Sequence, residues 1–180
     1  HAAASGVGTA AIQLCREFGH PCFVTVGSDE KLKRCLSLGA RAGWNRHQGS
    51  FVEAVKAFGE VNLILDPVGA SYLADNQRVL AADGRMVVIG LMGGRHAELD
   101  IGRLLMKRQR LIGSTLRARS PEDKGRILGE LARHVWPRLE RGELAPLIDA
   151  DWPIEEVEAA HQHLADNANT GKLLLRVAAD

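Results

Sequence analysis

The sequence predicts an α/β protein built on a doubly wound parallel sheet of the Rossmann type. Three observations carry this. Short β-rich apolar runs alternate with helical stretches along the chain, the pattern of a parallel sheet covered on both faces. The run His1-Ala-Ala-Ala-Ser-Gly-Val-Gly8 feeds a helix through small residues, as a phosphate-binding turn does. Two apolar runs end in the loops Pro67-Val-Gly69 and Gly90-Leu-Met-Gly-Gly94, at the edge where open α/β sheets bind ligands.

The first helix is expected over 7–18, with Val7, Ala10, Ala11, Leu14 and Phe18 on its apolar face and Gly19 as its stop. Gly6 and Gly8 flank Val7 and let backbone approach a ligand. Aligned on Gly8, the three glycine positions of the G-x-G-x-x-G fingerprint are Ala3, Ser5 and Gly8, a partial match. A helix start of this kind offers unpaired N–H groups and partial positive charge to a phosphate, or it simply packs tightly.

Residues 21–26 read as a strand buried on both faces. Ser28 caps the next helix, which turns Leu32, Cys35, Leu36 and Leu38 inward and stops at Gly39. A short strand over 42–45 follows, then a helix capped by Ser50 with Phe51, Val52, Val55 and Phe58 at helical spacing. Residues 61–66 form a clear strand, 71–81 a helix broken by Asp83-Gly84, and 85–89 another strand. Helix over 101–107, a short strand over 111–114 and a long helix over 121–139, ended or kinked at Pro137, come next. An extended segment starts at Leu147, a helix covers 154–165, and a last strand covers 172–177. The texture changes over 142–153. Residues 1–145 are therefore assigned to the nucleotide fold and 146–180 to a C-terminal segment in another layer.

The 180 residues suit one domain with a substantial core. A formal net charge of +1 gives no reason to expect a nucleic-acid or membrane-surface partner. No apolar run is long enough to span a bilayer, and the first residues lack the pattern of a secretory signal. Cys15, Cys22 and Cys35 show no C-x-x-C spacing and read as reduced, buried residues of a cytoplasmic protein, not as zinc ligands. The strand feeding a Rossmann glycine turn is central, yet almost none of it precedes the turn here. The chain is thus expected to lack most of its first central strand and to be the C-terminal portion of a longer protein.

Several collinear runs carry a family resemblance. They are the glycine turn, Gly27-Ser-Asp-Glu-Lys-Leu32, Leu38-Gly-Ala40, Ile64-Leu-Asp-Pro-Val-Gly69, Gly90-Leu-Met-Gly-Gly94, Ile112-Gly-Ser-Thr-Leu-Arg-Ala-Arg119 and Asn169-Thr-Gly-Lys172. Together they resemble the zinc-independent quinone oxidoreductase branch of the medium-chain dehydrogenases/reductases, and most closely its tumour-suppressor-induced type. The resemblance implies an NADPH-binding Rossmann domain in a homodimeric enzyme that reduces quinones or α,β-unsaturated carbonyls without catalytic zinc. It also implies an N-terminal GroES-like catalytic domain, absent from this chain, on which the C-terminal segment would pack.

Candidate site residues follow. NAD-preferring folds place an acid at the tip of the second strand. Here the tip is Val26-Gly27-Ser28, with Asp29 next door. Ser28 and Lys31 match the positions that hold the 2′-phosphate in the resembled family; an ordinary cap and a solvated charge are the alternatives. Arg46 stands where close relatives carry Tyr. It can stack on adenine and reach the phosphate, or simply be a solvated loop residue. Ser5, Gly6, Val7 and Gly8 make the diphosphate turn. Val68, Leu91 and Met92 lie in loops after strands, Gly90 lets backbone pass close to the cofactor ribose, and Ser114, Thr115 and Leu116 match the family loop beside the nicotinamide.

No general acid or base is expected, because the nicotinamide carries the hydride. Asp66 reads as a polar strand-end residue. His161 and His163, two apart on a helix, do not share a face and suggest no metal pair. The basic stretch from Arg103 to Arg119 reads as a solvated face. The strand over 111–114 would be a sheet edge, and a two-fold copy would satisfy it. A short-chain dehydrogenase would need Tyr-x-x-x-Lys, but Asn76 follows Tyr72 at that spacing. A methyltransferase would leave the later motifs unexplained. A nucleotide-binding module without catalysis, RNA-binding or structural, is the remaining alternative.

Overall fold

The computed structural model describes residues 1–177. Helix α1 (Gly6–Glu17) starts one residue before the expected position, with Ser5 as its N-cap. The Ser5 Oγ accepts the N–H of Gly8 at 3.1 Å, a preferred cap arrangement. Its buried face is not the expected one. Gly8, Thr9, Ile12 and Gln13 are buried, while Val7 is 54% and Phe18 41% exposed. The cause is a distant partner: the Gln13 side-chain amide donates to the Ala145 carbonyl (2.9 Å) and accepts the Ala145 N–H (3.0 Å). A buried amide satisfied in this way loses little against water.

Strand β1 (Phe23–Val26) pairs in parallel with β2 (Ala42–Asn45) across helix α2 (Asp29–Ser37). Ser28 caps α2 as expected, accepting the Lys31 N–H at 3.2 Å. Cys35 is fully buried, with Leu32 and Leu38 packed on the same cluster as Val24, Val26 and Ile12. Leu36, expected inward, is 41% exposed, because it lies about 100° around the helix from Cys35. Burial pushes the thiols of Cys22 and Cys35 up to about 11. Helix α3 (Val52–Phe58) begins after Phe51, and Ser50 accepts the Val52 N–H at 3.3 Å.

Strands β3 (Val61–Asp66), β4 (Leu80–Val88) and β5 (Arg110–Gly113) form a second parallel sheet in that order. Helix α4 (Leu73–Val79) lies between the first two and helix α5 (Ile101–Met106) between the last two. The expected helix over 71–81 is cut at both ends. A 3-10 turn, Ala70–Tyr72, precedes α4, and β4 begins at Leu80. Leu80 pairs with Val61, the chain bends at Asp83 (φ 60°), and pairing resumes with Arg85 opposite Leu63. The bend is pinned where the Asp83 N–H donates to the Lys107 carbonyl at 2.8 Å. Asp83-Gly84 therefore kinks a strand and does not end a helix.

The expected long helix is two: α6 (Pro121–His134) and α7 (Trp136–Glu140). The break falls at Val135, and Pro137 sits in the first turn of α7, where its missing N–H is tolerated. Strands β6 (Ile148–Pro153) and β7 (Lys172–Arg176) flank helix α8 (Val157–Ala165) and make a third parallel sheet. This segment meets the glycine turn directly. The Gly171 N–H donates to the Ala4 carbonyl at 2.7 Å, and Ser5 bridges Gly171.

Among the described residues no strand pairs with both β1 and β3. Residues 1–4 occupy the gap between them. The His1 nitrogen donates to the Leu65 carbonyl and the Ala3 N–H to the Thr25 carbonyl, each at 3.1 Å. That gap is where the expected central strand belongs, and the order β2, β1, gap, β3, β4, β5 is that of a doubly wound sheet.

Candidate functional site

The start of α1 and the C-terminal ends of β1, β3 and β4 surround a cavity of about 910 Å³. Its shape depends on absent side chains. A Cβ on Gly8 would lie 2.5 Å from the Cα and carbonyl oxygen of Ala3, so only glycine lets α1 sit on the residues in the gap. A Cβ on Gly90 would lie 2.7 Å from the Pro67 carbonyl, so the two exit loops pack backbone to backbone.

With Gly8 capped by Ser5, the N–H groups of Gly6 and Val7 have no partner among the described residues. Both residues line the cavity. Lys31 and Arg46 line it too. The Lys31 ammonium donates to the Asn167 carbonyl and lies 3.4 Å from its Oδ1. Arg46 lays its guanidinium over Gly27, about 3.4 Å from where a Cβ would be. Burial, and then the like charge of Arg46, hold the Lys31 ammonium below its ordinary value; Asp149 opposes them. Lys172 is the third cation on the wall, and no carboxylate is among the described lining residues. Asp29 accepts from the Asn45 side chain at 2.9 Å and does not line the cavity.

A buried polar chain fixes the floor. Asp66 is fully buried and accepts the N–H groups of Val68 (2.7 Å) and Gly69 (3.1 Å). Its other oxygen accepts from Asn76 at 3.1 Å. The Asn76 oxygen then faces His1 Nε2 at 2.6 Å, so that nitrogen is the donor, and Nδ1 accepts from the Thr25 hydroxyl at 2.8 Å. Asp66 thus positions the Val68 loop, in keeping with a strand-end role.

Of the residues singled out from sequence, Ser5, Gly6, Val7, Gly8, Lys31, Arg46, Val68 and Met92 are brought together on one wall. Ser28, Gly90, Leu91, Ser114, Thr115 and Leu116 are not. Ser28 is engaged as the cap of α2, Gly90 is packed on Pro67, and Leu91 and Leu116 are exposed. Ser114 extends the β4–β5 pairing, donating its N–H to the Val88 carbonyl at 3.0 Å. Sequence reasoning missed the part played by Tyr72, Asn167, Asn169 and Lys172. The run Asn169-Thr-Gly-Lys172 was the available signal for the last two.

A family model described as zinc-binding dehydrogenase matches residues 6–132. The chain belongs to this family. It is 32% identical over 178 residues to quinone oxidoreductase-like protein 2 of Rattus norvegicus, covering 97% of this chain and 51% of that protein. To the quinone oxidoreductase of Homo sapiens it is 28% identical over 179 residues, covering 97% and 53%. Among solved structures, the quinone oxidoreductase of Thermus thermophilus, described with its NADPH complex, superposes with a TM-score of 0.84 at 32% identity, covering 98% of this chain and 56% of that one. The Escherichia coli quinone oxidoreductase complexed with NADPH also gives 0.84, at 25% identity and the same coverage. The chain spans about half the length of the curated relatives it matches. Among the described residues there is no group of His, Cys, Asp or Glu arranged to hold a metal, and no helix long and apolar enough to cross a membrane.

Proposed function

We propose that this chain binds NADPH and forms the cofactor half of an oxidoreductase that reduces quinones or α,β-unsaturated carbonyls. One observation carries the reading: one cavity is lined by two amides at a helix start that have no partner among the described residues and by the pair Lys31 and Arg46, with no carboxylate among its described lining residues. NADPH presents anions at two such places, a diphosphate in its middle and a 2′-phosphate on its adenosine ribose. The Gly6 and Val7 amides suit the diphosphate, helped by the positive end of α1. Lys31 and Arg46 suit the 2′-phosphate through charge-assisted hydrogen bonds, with Ser28 capping the helix that carries Lys31. An acid there would repel that phosphate, and Asp29 is occupied by Asn45.

The cofactor supplies the hydride from its nicotinamide ring. The chain's own residues bind and orient it. Val68 and Met92 bound the space near the exit loops. Gly90, Leu91 and the loop Ser114, Thr115 and Leu116 belong to the ribose and nicotinamide end in this reading. Residues 1–145 are the cofactor domain in this reading, and the C-terminal segment that follows adds Asn167, Asn169 and Lys172 to its cavity and lies toward the catalytic domain of the whole enzyme. That enzyme is zinc-independent, cytoplasmic and homodimeric.

Calorimetric titration of the intact protein tests the reading. The wild type binds NADPH more tightly than NADH and turns it over with a quinone. Lys31→Ala weakens NADPH by roughly tenfold and leaves NADH within about twofold, the scale of one charged hydrogen bond. Equal or tighter binding of NADH by the wild type overturns it.

A further inference from the structure

The segment between α8 and β7 makes one wall of the cavity, with Leu164, Asn167, Asn169 and Gly171 lining it. This wall is held at three places. At β7 it is tied to the glycine turn, where the Gly171 N–H donates to the Ala4 carbonyl at 2.7 Å. At its middle the Lys31 ammonium donates to the Asn167 carbonyl. Asn167 has φ 54°, the left-handed backbone that an Asn adopts more readily than most residues.

The third hold is a carboxylate on β6. Its place follows from a bulge. Ile148 pairs with Lys172 and Ala150 with Leu173, so Asp149 is the extra residue on its strand. A bulge of this kind re-aims a side chain. One oxygen of Asp149 meets His163 Nε2 at 3.1 Å, in the last turn of α8. A carboxylate accepts, so this ring nitrogen carries the hydrogen. The other oxygen accepts the Thr170 N–H at 3.1 Å. A single side chain thus joins the end of α8 to the residue before Gly171, and residues 164–169 lie between its two partners. The Trp152 ring, also on β6, packs beside the imidazole with centroids 6.0 Å apart. His163 is 32% and Asp149 26% exposed, so the pair is partly shielded from water. Neither residue lines the cavity.

We infer that Asp149 is a positioning residue: through His163 and Thr170 it fixes the 164–171 segment as a wall of the cofactor cavity and slows release of the bound dinucleotide. This rests on the NADPH reading above. A wall that yields more often lets its ligand go sooner, and such changes are read in the off-rate. Asp149 touches no ligand, so its effect is the same for NADPH and NADH, whereas Lys31 tells them apart. Removing the carboxylate leaves the Gly171 bond to Ala4 and the pairing of β6 with β7 in place, so the wall loosens while the segment stays attached.

The test compares Asp149→Ala, Asp149→Asn and His163→Leu in the intact protein. Stopped-flow displacement of bound NADPH and NADH gives the off-rates, and hydrogen exchange follows the Thr170 amide. Asp149→Ala speeds exchange at that amide and raises both off-rates by about tenfold, with their ratio within about twofold of the wild type. His163→Leu removes one of the two bonds and raises both off-rates by about threefold. Asp149→Asn keeps the hold, because its oxygen accepts from Thr170 and its N–H donates to the other tautomer of His163; its off-rates stay within about twofold of the wild type. Off-rates unchanged in Asp149→Ala, or raised as far in Asp149→Asn, overturn the inference and leave the NADPH reading intact. Should Asp149→Ala not fold, unchanged off-rates in His163→Leu overturn it equally. A wild type that binds neither cofactor defeats both.

Discussion

Glycines 6 and 8 stand two residues apart in one helix and differ in what an added side chain would meet. At Gly8 an added methyl meets backbone, the Cα and carbonyl of Ala3 at 2.5 Å, which cannot step aside. At Gly6 it meets the flexible end of Lys172. Alanine in a helix ordinarily gains up to about 1 kcal/mol over glycine. Gly8→Ala is expected to reverse that sign and cost about 2 kcal/mol, as overpacking does; thermal denaturation checks it. The cap Ser28 was legible in the sequence because a cap bonds only three residues ahead, whereas Ser5, read as part of the turn, proves to cap α1 as well. The inward turn of Gln13 was not, because its partner Ala145 is 132 residues away. Asn169 and Lys172 were visible as part of a motif, but their place over Gly6 depends on the packing of β7 beside the glycine turn.

Helix α2 carries the pH dependence of the proposed site. Lys31 titrates below its ordinary 10.5 in the folded chain, through burial and the neighbouring Arg46. As pH rises through that lowered value the cation is lost, so preference for NADPH over NADH is expected to fall in the alkaline range, before 10.5 is reached. Stability moves the other way. The native state binds fewer protons at Lys31 than the unfolded chain, so its penalty on folding is present at lower pH and is relieved as pH rises through the folded pKa. Paired titrations of both cofactors against pH, with a denaturant midpoint at each pH, separate the two trends. Most elements could be read from periodicity. The helix over 71–81 was overextended because its residues fit a helical pattern, while the pairing of Leu80 with Val61 is a tertiary contact that local pattern does not encode. Pro137 did divide the long helix, two residues earlier than its own position.

On the scale of the molecule, alternating strands and helices gave the class and the strand order, and the glycine turn gave the location of the cavity. What pattern alone could not give was the closure of the cavity by the loop after α8, which brings Asn167 to Lys31. The residues of β5 are exposed along its length, and among the described residues β5 pairs only with β4. In the homodimer proposed here the outer edge of β5 meets its two-fold copy. Sedimentation at micromolar concentration is expected to give a dimer for the intact protein and a monomer for Ile112→Lys, since Ile112 lies on this edge.

The Gly171 N–H bonded to the Ala4 carbonyl ties the last pair of strands to the glycine turn, and both segments line the cavity. A ligand that fills this space in the folded chain, as the dinucleotide does in the reading proposed here, holds two stretches far apart in sequence together. Its concentration then sets how firmly the last strands stay docked.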